Sequence, residues 1–206
     1  MARYIDAVCR LCRRQGEKLF LKGMKCNSEK CSINKRAYAP GQHGEGKGKR
    51  RKVSNYGLQL REKQKVKRTY GVLEKQFRKY FKIASRSKGV TGKVLLQLLE
   101  RRLDNVVFRM GIGISRSQAR QIVRHNFIFV NSKRVNIPSF LVDKDDLVQV
   151  KAKEKALNKI KDNLELSKDR TVSSWLEFKP ADFSAKVLRL PEKDDIQQTI
   201  QEQLIV

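Results

Sequence analysis

The chain has 206 residues, of which 47 are lysine or arginine and 21 are aspartate or glutamate, so its formal net charge is +26 at pH 7. Hydrophobic residues make up 39%, enough for one or two modest cores but not for one large enzyme core. A charge this strongly positive indicates a nucleic acid partner.

Four cysteines lie within the first 31 residues, and the rest of the chain has none. They form two pairs, Cys9-x2-Cys12 and Cys26-x4-Cys31, with 13 residues between the pairs. Each pair can present two sulfurs from one turn, which is typical of a tetrahedral thiolate metal site. Zinc is the first expectation, but four thiolates also suit an iron–sulfur cluster, and the spacing does not separate the two. Because four ligands complete the coordination shell, such a site would be structural.

Disulfide bonds are the main alternative for these cysteines, and disulfides belong to oxidising compartments. The first residues lack the apolar core of a signal peptide, and no later stretch approaches the roughly 20 apolar residues of a membrane span. We therefore expect a cytoplasmic protein without membrane contact. Ordinary buried thiols are a second alternative, which the flanking residues Arg10, Arg13, Arg14, Lys25 and Lys30 do not favour.

The segment from Asn34 to Lys52 is basic, and Pro40 with the glycines after it argues against regular structure there. Up to Val90 the chain has 26 Lys and Arg against 6 Asp and Glu, and after Val90 it has 21 against 15. A solvated linker is the alternative, but counterion release on meeting phosphate would offset the cost of ordering such a segment. The basic residues that we predict to bind nucleic acid here are Arg10, Arg13, Arg14, Lys35, Arg36, Lys47, Lys49, Arg50, Arg51 and Lys52.

Helical periodicity begins at Leu58 and continues to Ser87, with Gly71 expected to divide the stretch into two helices. The apolar stripe that we expect to be buried consists of Val66, Tyr70, Leu73, Phe77, Tyr80 and Ala84. The basic stripe on another face consists of Lys75, Lys79, Lys82 and Arg86. Few acids are available to pair with this basic stripe, so it is predicted to face phosphate, a solvated face being the alternative.

The range Val94–Met110 predicts one strongly amphipathic helix. Its acidic residues Glu100 and Asp104 stand beside Arg101 and Arg102, and we interpret both as charges on the helix surface. The sequence then offers no acid–base pair in an apolar setting, and no enzyme is expected.

A second helix should begin at Ser115, which forms a capping box with Gln118. Arg116, Arg120 and Arg124 recur every four residues and are predicted to form one outer edge that can face a nucleic acid backbone. The candidate contact residues of this region are Arg116, Ser117, Gln118, Arg120, Arg124, Lys133 and Arg134.

Strands are predicted at Phe127–Val130 and around Val135, joined by a turn at 131–133, and at Leu147–Val150. Apolar residues at 175–178 and 183–190 predict further strands or short segments that pack on this module, and 194–200 predicts a short helix. Two helices followed by a small sheet would form one compact module.

Several motifs carry a resemblance to a known family. Leu99–Gly111, Ser115–Val123 and Val135–Ser139 resemble the S4 RNA-binding domain. The similarity to the bacterial ribosomal protein S4 family extends over nearly the whole chain through Cys9–Arg14, Ala39–Gly44 and Leu188–Pro191.

The resemblance implies an α+β fold: a metal-stapled, mainly helical N-terminal domain, and an S4-type module of helices and a small antiparallel sheet. In residue numbers it implies a four-cysteine segment at 1–44 with a basic arm to 53, and a basic helical region at 54–98. An RNA-binding domain at 99–162 and a C-terminal segment at 163–206 that packs on the body would follow.

The resemblance also implies a structural constituent of the small ribosomal subunit that binds small-subunit rRNA and nucleates assembly of the body. Together with the fifth small-subunit protein it would influence accuracy, and it would lie where messenger RNA enters the subunit. No homo-oligomer is expected. Two alternatives are an RNA-modifying enzyme with the same module, which would need a catalytic domain, and a metal-dependent DNA-binding regulator, which would want a recognition helix and dimer symmetry.

Overall fold

The computed structural model describes residues 3–42, 44, 53–167, 173–196 and 200–206. It confirms the α+β class, with helices and a small antiparallel sheet. The chain divides into two compact units, here called the first unit (Met1–Lys82 with Thr199–Val206) and the second unit (Ile83–Gln198). The four-part division made from the sequence is finer than this and stays a prediction.

The N-terminal part of the first unit is helical, as predicted. Its helices are α1 (Cys9–Gln15), α2 (Met24–Asn27), α3 (Ser32–Lys35) and α4 (Asn55–Thr69), and α5 (Glu74–Arg86) begins in this unit. The Ser54 hydroxyl caps α4 by accepting a hydrogen bond from the Gly57 N–H at 3.2 Å. Gly71, at φ +63°, separates α4 from α5, which confirms the predicted break.

The predicted apolar stripe of α4 and α5 is buried at Val66, Tyr70, Phe77, Tyr80 and Ala84. Leu73 is exposed instead, because the break at Gly71 interrupts the helical periodicity on which its assignment depended.

In the second unit, the end of α5 is followed by α6 (Thr91–Glu100) and α7 (Leu103–Arg109), so the prediction of one helix over 94–110 is wrong. Arg102 between them is extended, at φ −62° and ψ +135°. The Leu103 N–H donates to the Phe140 carbonyl at 2.8 Å, and Arg102 forms a β-bridge with Leu141. Pairing with a distant segment therefore replaces the helical hydrogen bonds at this position.

Helix α8 (Arg116–Arg124) packs closely on α7 and leads into a five-stranded antiparallel sheet of order β2-β1-β3-β5-β4. The strands are β1 (Ile128–Val130), β2 (Lys133–Arg134), β3 (Leu147–Val150), β4 (Leu176–Lys179) and β5 (Ser184–Val187). The predicted strands are confirmed, although β2 precedes Val135 rather than containing it. Asn131 and Ser132, at φ +48° and +66°, have the φ signs of a type I′ hairpin turn.

Helix α9 (Glu154–Leu166) was not predicted from the sequence, because only Ile160 and Asn163 of its residues are buried. The helix expected at 194–200 is a 3-10 turn at Lys193–Asp195, and 197–199 lie outside the described residues. Trp175 is fully buried in the core that α7, α8 and the sheet share. Within the described residues, every helix is too short or too polar to cross a membrane.

Candidate nucleic-acid interface

The four thiols of the first unit are reduced, with Cys12, Cys26 and Cys31 buried and Cys9 half-buried. The Lys22 N–H donates to the Cys26 sulfur at 3.3 Å. Among the described residues, however, no three His, Cys, Asp or Glu side chains are arranged so that they could hold a metal ion. The structure therefore does not show the metal stapling that the sequence predicts.

The chemistry of these thiols still fits a soft metal ion. Burial raises the pKa of the Cys12 thiol, and the nearby thiolate charges of the other three cysteines raise it further. Burial likewise raises the pKa of the Cys26 thiol. A backbone group of Leu19 hydrogen-bonds Cys12 and that of Lys22 hydrogen-bonds Cys26, and such bonds favour the thiolate forms that bind metal. The four sulfurs thus share one neighbourhood in which a bound cation would stabilise their thiolate forms.

Arg13 differs from the other basic residues of the N-terminal segment. Its Nε donates to the Tyr38 carbonyl at 3.0 Å, and its guanidinium lies 4.8 Å from the centroid of the Tyr38 ring. Arg13 thereby ties α1 to the segment that follows α3. The predicted residues that are exposed in this region are Arg10, Arg14, Lys35 and Arg36. The predicted residues that lie outside the described residues are Lys47, Lys49, Arg50, Arg51 and Lys52.

Helix α5 exposes its predicted basic stripe of Lys75, Lys79, Lys82 and Arg86. The first turn of this helix carries Glu74, which pairs with Lys63 at 2.5 Å, Lys67 at 3.0 Å and Arg78 at 3.1 Å. Hydrogen bonds from Lys63 first, and from Lys67 and Arg78, lower the pKa of Glu74 to about 2, against an opposing effect of burial. One carboxylate thus serves three cations, and the face of α4 and α5 around it stays positive.

The second unit overturns part of the predicted outer edge of α8. Arg124 is exposed, but Arg120 is only 9% exposed. Arg120 Nη1 donates to Asp104 Oδ2 at 3.1 Å, and Arg102 pairs with the same carboxylate at 2.5 Å. Because a buried carboxylate needs cationic partners, Asp104 holds Arg120 inward, away from any ligand.

Glu100 is fully buried, so the interpretation of Glu100 and Asp104 as surface charges is wrong. Glu100 Oε1 and Oε2 accept hydrogen bonds from Arg109 at 2.8 and 3.0 Å, and Oε2 also accepts one from the Asn105 amide at 2.7 Å. Two-point pairing with a guanidinium is the strong form of this interaction. Both carboxylates are thereby engaged in ion pairs rather than placed for acid–base chemistry.

The same hydrogen bonds continue to Arg116. The oxygen of the Asn105 amide accepts a hydrogen bond from Arg116 Nε at 2.9 Å. The Arg116 guanidinium lies 4.5 Å from the centroid of the Phe108 ring and is half-exposed. Glu100 thus fixes Asn105, and Asn105 together with Phe108 fixes a guanidinium that still reaches the surface.

The N-terminus of α8 has the predicted cap. The Ser115 hydroxyl accepts from the Gln118 N–H at 3.3 Å, while the Gln118 side chain accepts from the Ile114 N–H at 2.8 Å, one residue earlier than in a standard capping box. The Gln118 amide nitrogen donates to Asn163 Oδ1 at 3.4 Å. Both the oxygen and the nitrogen of the Gln118 amide therefore form hydrogen bonds within the protein. Its neighbour Ser117 is exposed.

The hairpin adds basic residues around one aromatic ring. Lys133 and Arg134, which the sequence predicts as RNA contacts, are exposed, and the Arg134 guanidinium lies 5.5 Å from the centroid of Phe129. Lys151 Nζ lies 5.2 Å from the same ring and was not predicted. The sequence alone does not indicate that Lys151 lies near Phe129. Their proximity follows from strand pairing, because Val150, the residue before Lys151, pairs with Ile128, the residue before Phe129. The Phe129 ring thus holds two cations next to each other on the sheet, where both can contact phosphate.

Comparisons with known proteins agree with this architecture. The sequence model described as the Ribosomal protein S4/S9 N-terminal domain matches residues 3–100, and the S4 domain matches residues 101–148. Small ribosomal subunit protein uS4 of Pelotomaculum thermopropionicum is 56% identical over 206 residues, covering 100% of this chain and 98% of the relative.

Two further relatives give the same result. Protein uS4 of Acetivibrio thermocellus is 55% identical, and uS4A of Symbiobacterium thermophilum is 58% identical, each over 100% of this chain and 98% of the relative. The chain therefore belongs to the ribosomal protein S4 family, whose members are rRNA-binding structural proteins of the small ribosomal subunit rather than enzymes.

Proposed function

We propose that this small-subunit protein binds folded rRNA through backbone contacts made by both of its units, and that this binding nucleates assembly of the subunit body. The observation that carries the proposal is the geometry of Arg116, held by Asn105 at 2.9 Å and stacked on Phe108 at 4.5 Å. A guanidinium that is already oriented loses little conformational freedom when its planar donors meet a phosphate.

The distribution of basic residues supports reading of RNA shape more than of base sequence. Exposed cations lie on several elements of each unit, among them Arg36, Lys79, Arg124 and Lys133. Contacts to phosphates fix position and orientation, and folded RNA is recognised largely by its backbone and 2′-hydroxyl groups.

We also propose a zinc ion bound by Cys9, Cys12, Cys26 and Cys31. Their shared neighbourhood and the backbone hydrogen bonds to Cys12 and Cys26 support it, and an iron–sulfur cluster is the less favoured occupant. When bound, zinc would supply a tetrahedral crosslink and neutralise thiolate charge. The chain's own residues would then keep α1 and the segment around α2 and α3 in one position for RNA.

Two further partners are proposed from the family resemblance. One is the fifth small-subunit protein, through which the chain would influence translational accuracy. The other is incoming messenger RNA, which Lys47, Lys49, Arg50 and Arg51 would grip as point charges irrespective of sequence.

A binding comparison tests the main proposal. The purified protein is titrated with a folded fragment of small-subunit rRNA and with duplex DNA of equal charge, at several salt concentrations. We expect tighter binding to the rRNA, with affinity that falls linearly in log salt. Equal affinity for both nucleic acids at matched salt, or failure of the protein to co-sediment with small subunits, would contradict it.

A further inference from the structure

We propose that Arg14 of α1 and Arg68 of α4 form a site for one RNA backbone phosphate on the first unit. This inference rests on the proposed function and names a contact within it. Arg14 is among the residues predicted from the sequence to bind nucleic acid, and the structure adds Arg68 as its partner in one site.

The two helices that carry the site are packed together. Helix α1 lies against α4, and the Gln15 amide at the end of α1 donates to the Arg61 carbonyl at 2.7 Å. Arg61, Lys65 and Arg68 are spaced four and three residues apart and so share one face of α4.

The cations on this face are compensated unequally. Lys65 Nζ lies 2.8 Å from Glu17 and 3.7 Å from Glu62, so its charge is neutralised within the protein. One turn later, Arg68 lies within electrostatic range of a second cation, Arg14. Across the part of the chain that the structure describes, no acidic side chain pairs with Arg14 or Arg68.

The Arg68 guanidinium is also short of hydrogen-bond partners. Its Nη1 is buried and has no acceptor among the described residues. Burial lowers the pKa of Arg68, Tyr4 opposes this effect, and the charge of Arg14 lowers the pKa further. Arginine stays charged despite such shifts, so the free protein retains two repelling cations and an unsatisfied donor, both of which cost stability.

A phosphate group would remove both costs. Its oxygens accept from two guanidiniums at once, and its negative charge reverses their repulsion. Arg14 is exposed and Arg68 is half-buried, so the ligand would approach along Arg14 while Arg68 forms the inner wall. A protein that keeps an uncompensated pair beside a well-compensated lysine is arranged for an anion from outside.

The test uses Arg68→Gln and Arg14→Gln in the full-length protein, with Arg61→Gln as the matched control on the same face of α4. Melting temperature is measured with and without inorganic phosphate, and rRNA-fragment affinity is measured against salt. Removing either charge should leave the melting temperature of the free protein unchanged or raised. The same change should abolish stabilisation by phosphate, weaken rRNA binding about tenfold and reduce the salt slope by about one.

Because the two arginines share one phosphate, the double variant should lose little more salt slope than either single variant. A lower melting temperature for Arg68→Gln would overturn the proposal, since it would show that this side chain stabilises the free protein. Phosphate stabilisation that disappears with unchanged rRNA affinity would mean an adventitious ion only, or an acidic partner protein, and would also overturn it. If the unmodified protein fails to bind the rRNA fragment, the proposed function fails instead.

Discussion

The two units of the protein use arginine in opposite ways. In the second unit, Arg102, Arg109 and Arg120 are buried and each pairs with a buried carboxylate. In the first unit, Arg14 and Arg68 lie near each other without an acidic partner in the described residues. A net charge of +26 therefore combines cations that build the fold with cations that remain available for RNA.

The difference shows that the role of an arginine depends on its exposure and its ion-pair partners, which its spacing in the sequence does not reveal. Arg116, Arg120 and Arg124 recur at one interval, yet the first is fixed at the surface, the second is buried and the third is exposed. The carboxylate of Asp104, sixteen residues before Arg120 in the chain, determines which of them is withdrawn.

The largest expected effect is the loss of bound metal, which should loosen the first unit and leave the second unit unchanged. Cys9→Ser or Cys31→Ser should loosen residues up to roughly Tyr38 and leave the second unit folded, because structural zinc supplies on the order of 10 kcal/mol to small metal-dependent folds. Limited proteolysis measures the loosening, and metal analysis should find about one zinc per chain.

Visible absorbance distinguishes zinc, which is colourless, from an iron–sulfur cluster. Ser28→Ala, between Cys26 and Cys31, is the control and should change neither metal content nor protease resistance. A chain without bound metal, whose protease resistance survives Cys9→Ser, would rule the site out.

The next effect concerns the buried pair of the second unit. Glu100→Ala should reduce the free energy of unfolding by about 3–5 kcal/mol, because it leaves Arg109 buried without its anion. Chemical denaturation measures this loss. The exposed Glu177→Gln, in the same unit, should stay within about 0.5 kcal/mol of the original protein. Similar unfolding midpoints for both variants would show that Arg109 reaches solvent when Glu100 is lost.

A smaller effect is expected for two arginines of α8, one of which should contribute to stability and the other to RNA binding. Arg120→Ala should lower the free energy of unfolding by about 2 kcal/mol, because Asp104 loses one of its charged hydrogen bonds. Arg124→Ala should leave stability unchanged and reduce the salt slope of rRNA binding by about one. Denaturation and salt titration of both variants supply the comparison. The opposite assignment, a stability loss only in Arg124→Ala, would contradict the burial that separates the two side chains.

Much of the fold follows from sequence because local signals determine it. Ser54 and Ser115 cap helices, Gly71 breaks one, and alternating apolar residues mark β1 and β3. The break at Arg102 is different, since its cause is a β-bridge to Leu141 that no local pattern reveals.

The site was predictable only in part, for the same reason. The recurrence of arginine every four residues pointed to Arg116 and Arg124 as candidate RNA contacts. The burial of Glu100 and Asp104, in contrast, depends on how α6, α7 and α8 pack together. The sequence pattern of a carboxylate next to an arginine is the same whether that face of the helix is exposed to solvent or buried. The cation–aromatic grouping of Lys151 and Phe129 depends on strand register and could be found only once the sheet was known.

The smallest effect concerns Glu74, the carboxylate that pairs with cations of both α4 and α5. Its pKa is about 2 in the folded protein, below the ordinary value of 4.5, so the folded state holds this proton less tightly than the unfolded state does. Its contribution to stability is therefore complete above pH 4.5 and is lost as the pH falls towards 2. Because a third of the side chain is exposed and solvent screens its pairs, we expect Glu74→Gln to cost about 1 kcal/mol at neutral pH.

The measurement is the difference in unfolding free energy between Glu74→Gln and the original protein at pH 7, 4 and 2.5, since taking the difference cancels the other titrating groups. The exposed Glu29→Gln is the control and should show no pH-dependent difference. A Glu74→Gln cost that persists undiminished at pH 2.5 would mean that packing, rather than charge, holds this residue. A cost that vanishes with acid would show that Glu74 acts through its charge, by pairing with Lys63, Lys67 and Arg78.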